Sequence, residues 1–96
     1  MMKALNQEEI DEKLKSIHQS WTQEGDFLKR DFIFDNFVLA FGFMTSVAIE
    51  ADNANHHPNW QNVYNKVSIS LSTHEAGGLK DQDFSLAGKI DNLYDN

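Results

Sequence analysis

Cysteine is absent from this chain of 96 residues, and proline occurs once, as Pro58. The missing thiol excludes disulfides, a cysteine nucleophile and thiolate metal ligation. It suits a reducing compartment, and a cytoplasmic location is the expectation. Basic residues are scarce, with 8 Lys and Arg against 15 Asp and Glu and a net charge of -7. Binding to nucleic acid or to an anionic bilayer needs the opposite balance, so neither is an expected partner. The longest basic run, Lys29-Arg30, is followed at once by Asp31. Long apolar runs are also missing. Phe37 to Met44 is far too short to span a membrane, and Met1 to Asp11 lacks the apolar centre of a signal peptide. What remains is 41% hydrophobic and 24% charged, too apolar for a disordered chain. The length fits a single domain over residues 1–96. Such a domain buries a modest core, and further copies of the chain are a natural source of extra burial.

The first element reads as a helix. Asn6 can cap it, Glu9 completes a capping box, and Leu5 and Ile10 are spaced for a hydrophobic staple. Ile10, Leu14 and Ile17 form its apolar stripe. A hairpin follows, with Trp21 in a short strand, a turn at Glu24-Gly25-Asp26, and an alternating strand from Phe27 to Phe34. Leu28, Arg30, Phe32 and Phe34 share one face of that strand. Asp35 or Asn36 can cap a second helix, in which Phe37, Ala40, Phe41, Met44, Val47, Ala48 and Ala51 recur at helical spacing. Val38, Leu39, Phe43 and Ile49 lie off that stripe and are also apolar, so this helix needs more than one burial partner. Pro58 requires the helix to end before His57. Asn59 to Ser72 reads as one half-buried strand, with Val67, Ile69 and Leu71 inward. A turn at Gly77-Gly78 and a last helix carrying Leu86, Ala87, Ile90 and Leu93 complete the chain. The order of elements predicts an α+β layer pair, an antiparallel sheet with helices on one face.

Three of the four histidines fall between residues 56 and 74: His56, His57 and His74. Imidazole is the side chain best matched to proton transfer near neutral pH. If the sheet brings the end of the long strand beside the end of the second helix, three imidazoles can meet around one cavity. Backbone amides around Thr73-His74-Glu75 can then hold a flat polar ligand. The competing reading is a zinc site made by these histidines with Asp52 or Glu75. Adjacent histidines chelate one ion poorly from an extended segment, and no His-Glu pair at helical spacing supports it. His18, a lone histidine, reads as structural or exposed.

These residues resemble one family. His56-His57-Pro58-Asn59-Trp60, Asn62-Val63-Tyr64-Asn65-Lys66-Val67 and Leu71-Ser72-Thr73-His74-Glu75 are similar to pterin-4a-carbinolamine dehydratases. So are Gly77-Gly78-Leu79, Asp83 and Leu86-Ala87, and upstream Trp21, Leu28-Lys29-Arg30, Phe32-Ile33-Phe34 and Ala40 to Met44. The resemblance runs from about Trp21 to Leu93. It implies dehydration of 4a-hydroxytetrahydrobiopterin to quinonoid dihydropterin, which recycles the pterin of aromatic amino-acid hydroxylases, with no metal and no bound cofactor. His56, His57 and His74 are implied as catalytic and pterin-binding, with His57 or His74 favoured as the acid. Pro58, Thr73, Glu75 and Ala76 are implied as pocket residues. The implied fold is a four-stranded antiparallel sheet with helices on one face, a ββαββα core behind an extra N-terminal helix. That divides Asn59 to Ser72 into two strands. A homodimer or homotetramer is implied too. Animal members also dimerise a homeodomain transcription factor, so a coactivator-type binding role is the alternative. Two positions depart from the pattern. Asn55 stands where the family often has an acidic residue, and Lys80 where it often has a capping Ser or Thr. Either Asp81, one residue later, caps instead, or the helix start frays.

Overall fold

Alternation in the sequence becomes a two-faced sheet. The computed structural model describes residues 3–95; Met1, Met2 and Asn96, the ends of the expected domain, lie outside the described residues. Four antiparallel strands stand in the order β1-β2-β4-β3: β1 is Thr22–Glu24, β2 Phe27–Ile33, β3 Asn59–Val63 and β4 Lys66–Leu71. The central pairing sets Leu28 opposite Leu71, Arg30 opposite Ile69 and Phe32 opposite Val67. All six side chains are buried, while Lys29, Asp31, Ser68 and Ser70 occupy the other face. A period of two on a half-covered sheet produces this division.

Helices α2 (Phe37–Asn53) and α3 (Asp81–Asp95) cover the inner face, and α1 (Gln7–Leu14) adds Ile10 to the same core. The protein is therefore an α+β fold, a four-stranded antiparallel sheet with helices packed on one face. Trp21, expected in the first strand, lies just before β1 and is buried. The expected single strand over Asn59 to Ser72 is two, as the resemblance implied. They are joined at Tyr64-Asn65, where Tyr64 takes φ 51°. No glycine marks that turn. The side-chain amide of Asn62 donates to the carbonyls of Tyr64 and Lys66 at 3.1 and 2.9 Å and holds it closed.

The helix caps follow their chemistry. Asn6 and Glu9 form the capping box of α1, each side chain accepting the other's backbone N–H at 2.9 Å. Asn36, not Asp35, caps α2 by accepting from the Leu39 amide. The buried stripe of α2 is Ala40, Phe43, Val47 and Ala51. Phe37, Phe41 and Ala48, expected on that stripe, are exposed, and Phe43, expected off it, is core. Because nearly every side of this helix is apolar, periodicity alone does not fix its rotation. Packing does: Phe43 meets Phe32 and Phe34 with ring centroids 4.9 and 5.0 Å apart.

One charge on the inner face has its own partner. Arg30 Nη1 donates to Asp91 Oδ1 on α3 at 2.5 Å, and the same oxygen accepts from Trp21 Nε1 at 2.7 Å. The other Asp91 oxygen accepts from the His18 amide at 3.0 Å. The Arg30 guanidinium also lies over the Phe32 ring, 4.4 Å from its centroid. A buried ion pair thus ties the hairpin to the last helix.

Candidate functional site

The end of α2 aims the first histidine. Asn55 adopts φ 51°, its N–H bonds the Asp52 carbonyl at 3.1 Å, and the His56 N–H bonds the Ala51 carbonyl at 3.0 Å. These are the two bonds of a Schellman helix end, whose left-handed residue is usually Gly or Asn. The reversal drives His56 into the protein and leaves its neighbour His57 at the surface.

His56 arrives against the first turn of α3. Its Nε2 lies 2.5 Å from Oδ1 of Asp83, which is fully buried. The other oxygen of Asp83 accepts from the Thr73 hydroxyl at 2.8 Å and from the Lys80 amide at 2.9 Å. With its second oxygen engaged by two donors, the carboxylate presents Oδ1 to His56 as an acceptor. His56 therefore donates to it from Nε2. The Lys80 bond also corrects the expected cap. Asp81 is the first helical residue and pairs instead with Lys13 Nζ at 2.9 Å. Asp83, three residues past Lys80, reaches back to the orphan amide as the second half of a capping box does. One carboxylate starts the helix and orients the histidine.

His74 comes from the opposite side. It begins a short 3-10 turn, His74–Ala76, after β4. A bridge between Thr73 and Gly78 pinches the loop, with the Thr73 N–H donating to the Gly78 carbonyl at 2.9 Å. Gly78 is confined there, since a Cβ on it would stand 3.1 Å from the Cβ of Ala4. His74 and Glu75 project from the turn and are exposed.

His56, His57, His74 and Glu75 line one cleft of about 470 Å³ together with Asn55, Ser72 and Gln82. The histidines expected to meet do meet. His57 is largely exposed and sits 3.3 Å from Asp52 Oδ1, a long contact for a hydrogen bond. The other expected pocket residues are distributed differently. Thr73 is fully buried beneath the cleft, its hydroxyl accepting from Gln82 Nε2 at 2.9 Å while donating to Asp83. Pro58 borders a neighbouring apolar groove, which His57 shares. Ala76 is on the same turn as His74 but not among the residues lining the cleft. Gln82 and Ser72 were not singled out by the sequence; their signal is only their adjacency to Asp83 and Thr73. Among the described residues, no three His, Asp or Glu side chains converge as a metal-binding group. A larger hollow of about 550 Å³ lies over the outer sheet face around Lys29, Asp31, Ser68 and Ser70 and contains no histidine.

Residues 3–93 match the model of the pterin 4 alpha carbinolamine dehydratase family. The chain belongs to that family. A protein of Christiangramia forsetii, provisionally named a pterin-4-alpha-carbinolamine dehydratase, is 45% identical over 96 residues. The alignment spans all of this chain and 98% of that one. Among solved structures, a transcriptional coactivator/pterin dehydratase from Brucella melitensis superposes with a TM-score of 0.91 at 33% identity. That match covers 96% of this chain and 99% of the other. A pterin dehydratase-like RuBisCO assembly factor of the alpha-carboxysome shares the fold, with a TM-score of 0.65 at 20% identity over 77% of this chain and 86% of its own. The family fold has thus been solved in proteins described by quite different roles. Among the described residues, no helix is long and apolar enough to cross a membrane.

Proposed function

We propose that the chain is a 4a-hydroxytetrahydrobiopterin dehydratase acting in the cytoplasm. The observation that carries this reading is the convergence of His56, His57 and His74 on one cleft, with His56 fixed by a buried carboxylate. The reaction breaks the bond between the ring carbon and its hydroxyl. An acid protonates the departing oxygen, a base takes a proton from ring nitrogen, and water leaves. Two imidazoles in different surroundings suit two such roles. His57 or His74, exposed to the cleft, gives the proton, while His56 is held by Asp83 against the ring. Glu75 offers a carboxylate to ring N–H groups, Thr73 supports the floor from beneath, and Pro58 and Ala76 bound the site. The chemistry uses no metal and no bound cofactor.

The test is loss of 4a-hydroxytetrahydropterin absorbance generated by a hydroxylase, followed with and without added protein and chelator. Wild type is expected to accelerate it equally in both. His57→Ala and His74→Ala are each expected to slow it by about 10²–10⁴-fold, the usual worth of a positioned acid or base. No acceleration by wild type would sink the proposal, and abolition by chelator would restore the zinc reading.

The exposed half of α2 supports a homo-oligomer. Phe37, Val38, Leu39 and Phe41 are each at least half exposed, which is unusual for a contiguous apolar surface on a monomer. Sedimentation is expected to give a dimer or tetramer for wild type and a monomer for the Val38→Lys/Phe41→Lys double variant. A monomeric wild type would show that nothing of this chain covers the patch. Self-association through this helix is also what the alternative role, as a dimerisation protein, would use.

A further inference from the structure

A line of hydrogen bonds leads from the buried carboxylate to the wall of the cleft. Thr73 gives its hydroxyl hydrogen to Asp83 Oδ2 at 2.8 Å, and Gln82 Nε2 lies 2.9 Å from the same hydroxyl oxygen. A hydroxyl has a single hydrogen, and this one is committed to Asp83. The Thr73 oxygen therefore meets Gln82 only as an acceptor, and the Gln82 amide must turn its NH₂ branch toward it. A carboxylate at position 82 would instead compete with Asp83 for that hydrogen. The network thus decides which end of the amide faces which way. Nε2 goes to the floor, and the carbonyl branch is left for the cleft that Gln82 lines. Gln82 is the second residue of α3 and half-buried, so its backbone is fixed beside Asp83.

We propose that Gln82 is a specificity-determining residue of the cleft, its side-chain carbonyl accepting one N–H of the substrate's aminopyrimidinone ring. This rests on the pterin reading of the cleft and adds a contact to it. Such a ring carries an amino group and a lactam N–H side by side, and neighbouring donors need neighbouring acceptors. Glu75, on the turn after β4, lines the same cleft and supplies a carboxylate. Gln82 supplies a second acceptor without adding charge beside Asp83. A ring that placed an acceptor there would face the Gln82 carbonyl with no hydrogen between them, leaving both unpaired. The contact also completes a chain of one direction. The ring N–H donates to Gln82, Gln82 to Thr73, and Thr73 to the carboxylate that holds His56. Each donor in such a chain polarises the next.

Calorimetric titration tests this with 7,8-dihydrobiopterin, which has no 4a hydroxyl to lose. The comparison ligands are its derivatives methylated at the lactam nitrogen or twice on the amino nitrogen. Wild type is expected to bind the parent about tenfold or more tightly than one of the two, the one whose lost N–H faced Gln82. In Gln82→Ala, which leaves room for a methyl group, that ratio is expected to fall by about fivefold or more. Gln82→Met, of similar length but with no amide, is expected to lower it in the same direction. The ratio is the readout because a glutamine that only supported Thr73 would affect parent and derivatives alike. Equal weakening of all three ligands, or both ratios within about twofold of wild type, in either variant would overturn the contact and leave the pterin reading standing. Failure of wild type to bind the parent would overturn both together.

Discussion

Asp83→Asn is expected to lower kcat of the proposed dehydration by about 100-fold or more, with a much smaller change in KM. The asparagine side chain has the same shape but only one acceptor oxygen. In the native protein Asp83 receives three donors: the Thr73 hydroxyl, the Lys80 amide and His56 Nε2. If the amide oxygen keeps the first two, the NH₂ group faces His56. The imidazole must then accept at Nε2 and carry its proton on Nδ1. The ring stays in place and Nε2 turns from donor to acceptor, so binding survives better than turnover. Nitrogen-15 chemical shifts of the His56 ring report the tautomer directly. Turnover within twofold of wild type, with unchanged ring shifts, would show that Asp83 serves only the helix.

The second large effect is on stability. Asp91→Ala is expected to cost about 3–5 kcal/mol, because it leaves the Arg30 guanidinium buried without its counter-charge. For a domain of this length that is a fall of about 15–30 °C in Tm. It is also a large part of the total stability typical of such domains. The Trp21 indole and the His18 amide lose their acceptor in the same step. Replacing both partners, as Arg30→Met with Asp91→Leu, is expected to recover most of the loss, since a packed apolar pair avoids the desolvation that the ion pair must offset. Thermal unfolding of the single and double variants measures both. A single variant within 1 kcal/mol of wild type by chemical denaturation, the size of a surface pair, would mean that water reaches Arg30.

The features readable from the sequence were those set by local periodicity and capping. The β2 and β4 faces, the Asn6 and Glu9 box and the approximate end of α2 all follow from spacing within a few residues. The turn at Tyr64-Asn65 escaped that reading, since it lacks glycine and rests on the Asn62 side chain. The rotation of α2 escaped it too, for a helix apolar on most sides records its orientation in what it packs against. At the site, the histidines announced themselves by type and adjacency. Asp83 did not, as a carboxylate in the first turn of a helix reads as an ordinary favourable charge. Its burial and its bond to His56 depend on β4 and α2 arriving from elsewhere. The pairing of Arg30 with Asp91 is hidden for the same reason: a long-range partner leaves no mark at short spacing.

The sheet order also has a kinetic consequence. The central strands β2 and β4 are neighbours in space, yet α2 and β3 lie between them in the chain. Their pairing must close a long loop before it is rewarded, which makes it a slow, non-local event in folding. His56 leaves the end of α2 just before β3, and His74 follows β4, so the β3–β4 hairpin, with Asn59 opposite Ser70, brings these two sides of the cleft together locally. The histidines can therefore be gathered by a short-range hairpin, while the sheet beneath them waits for β2 to pair with β4. The slow step in folding is thus expected to complete the core under the cleft rather than to bring its histidines together.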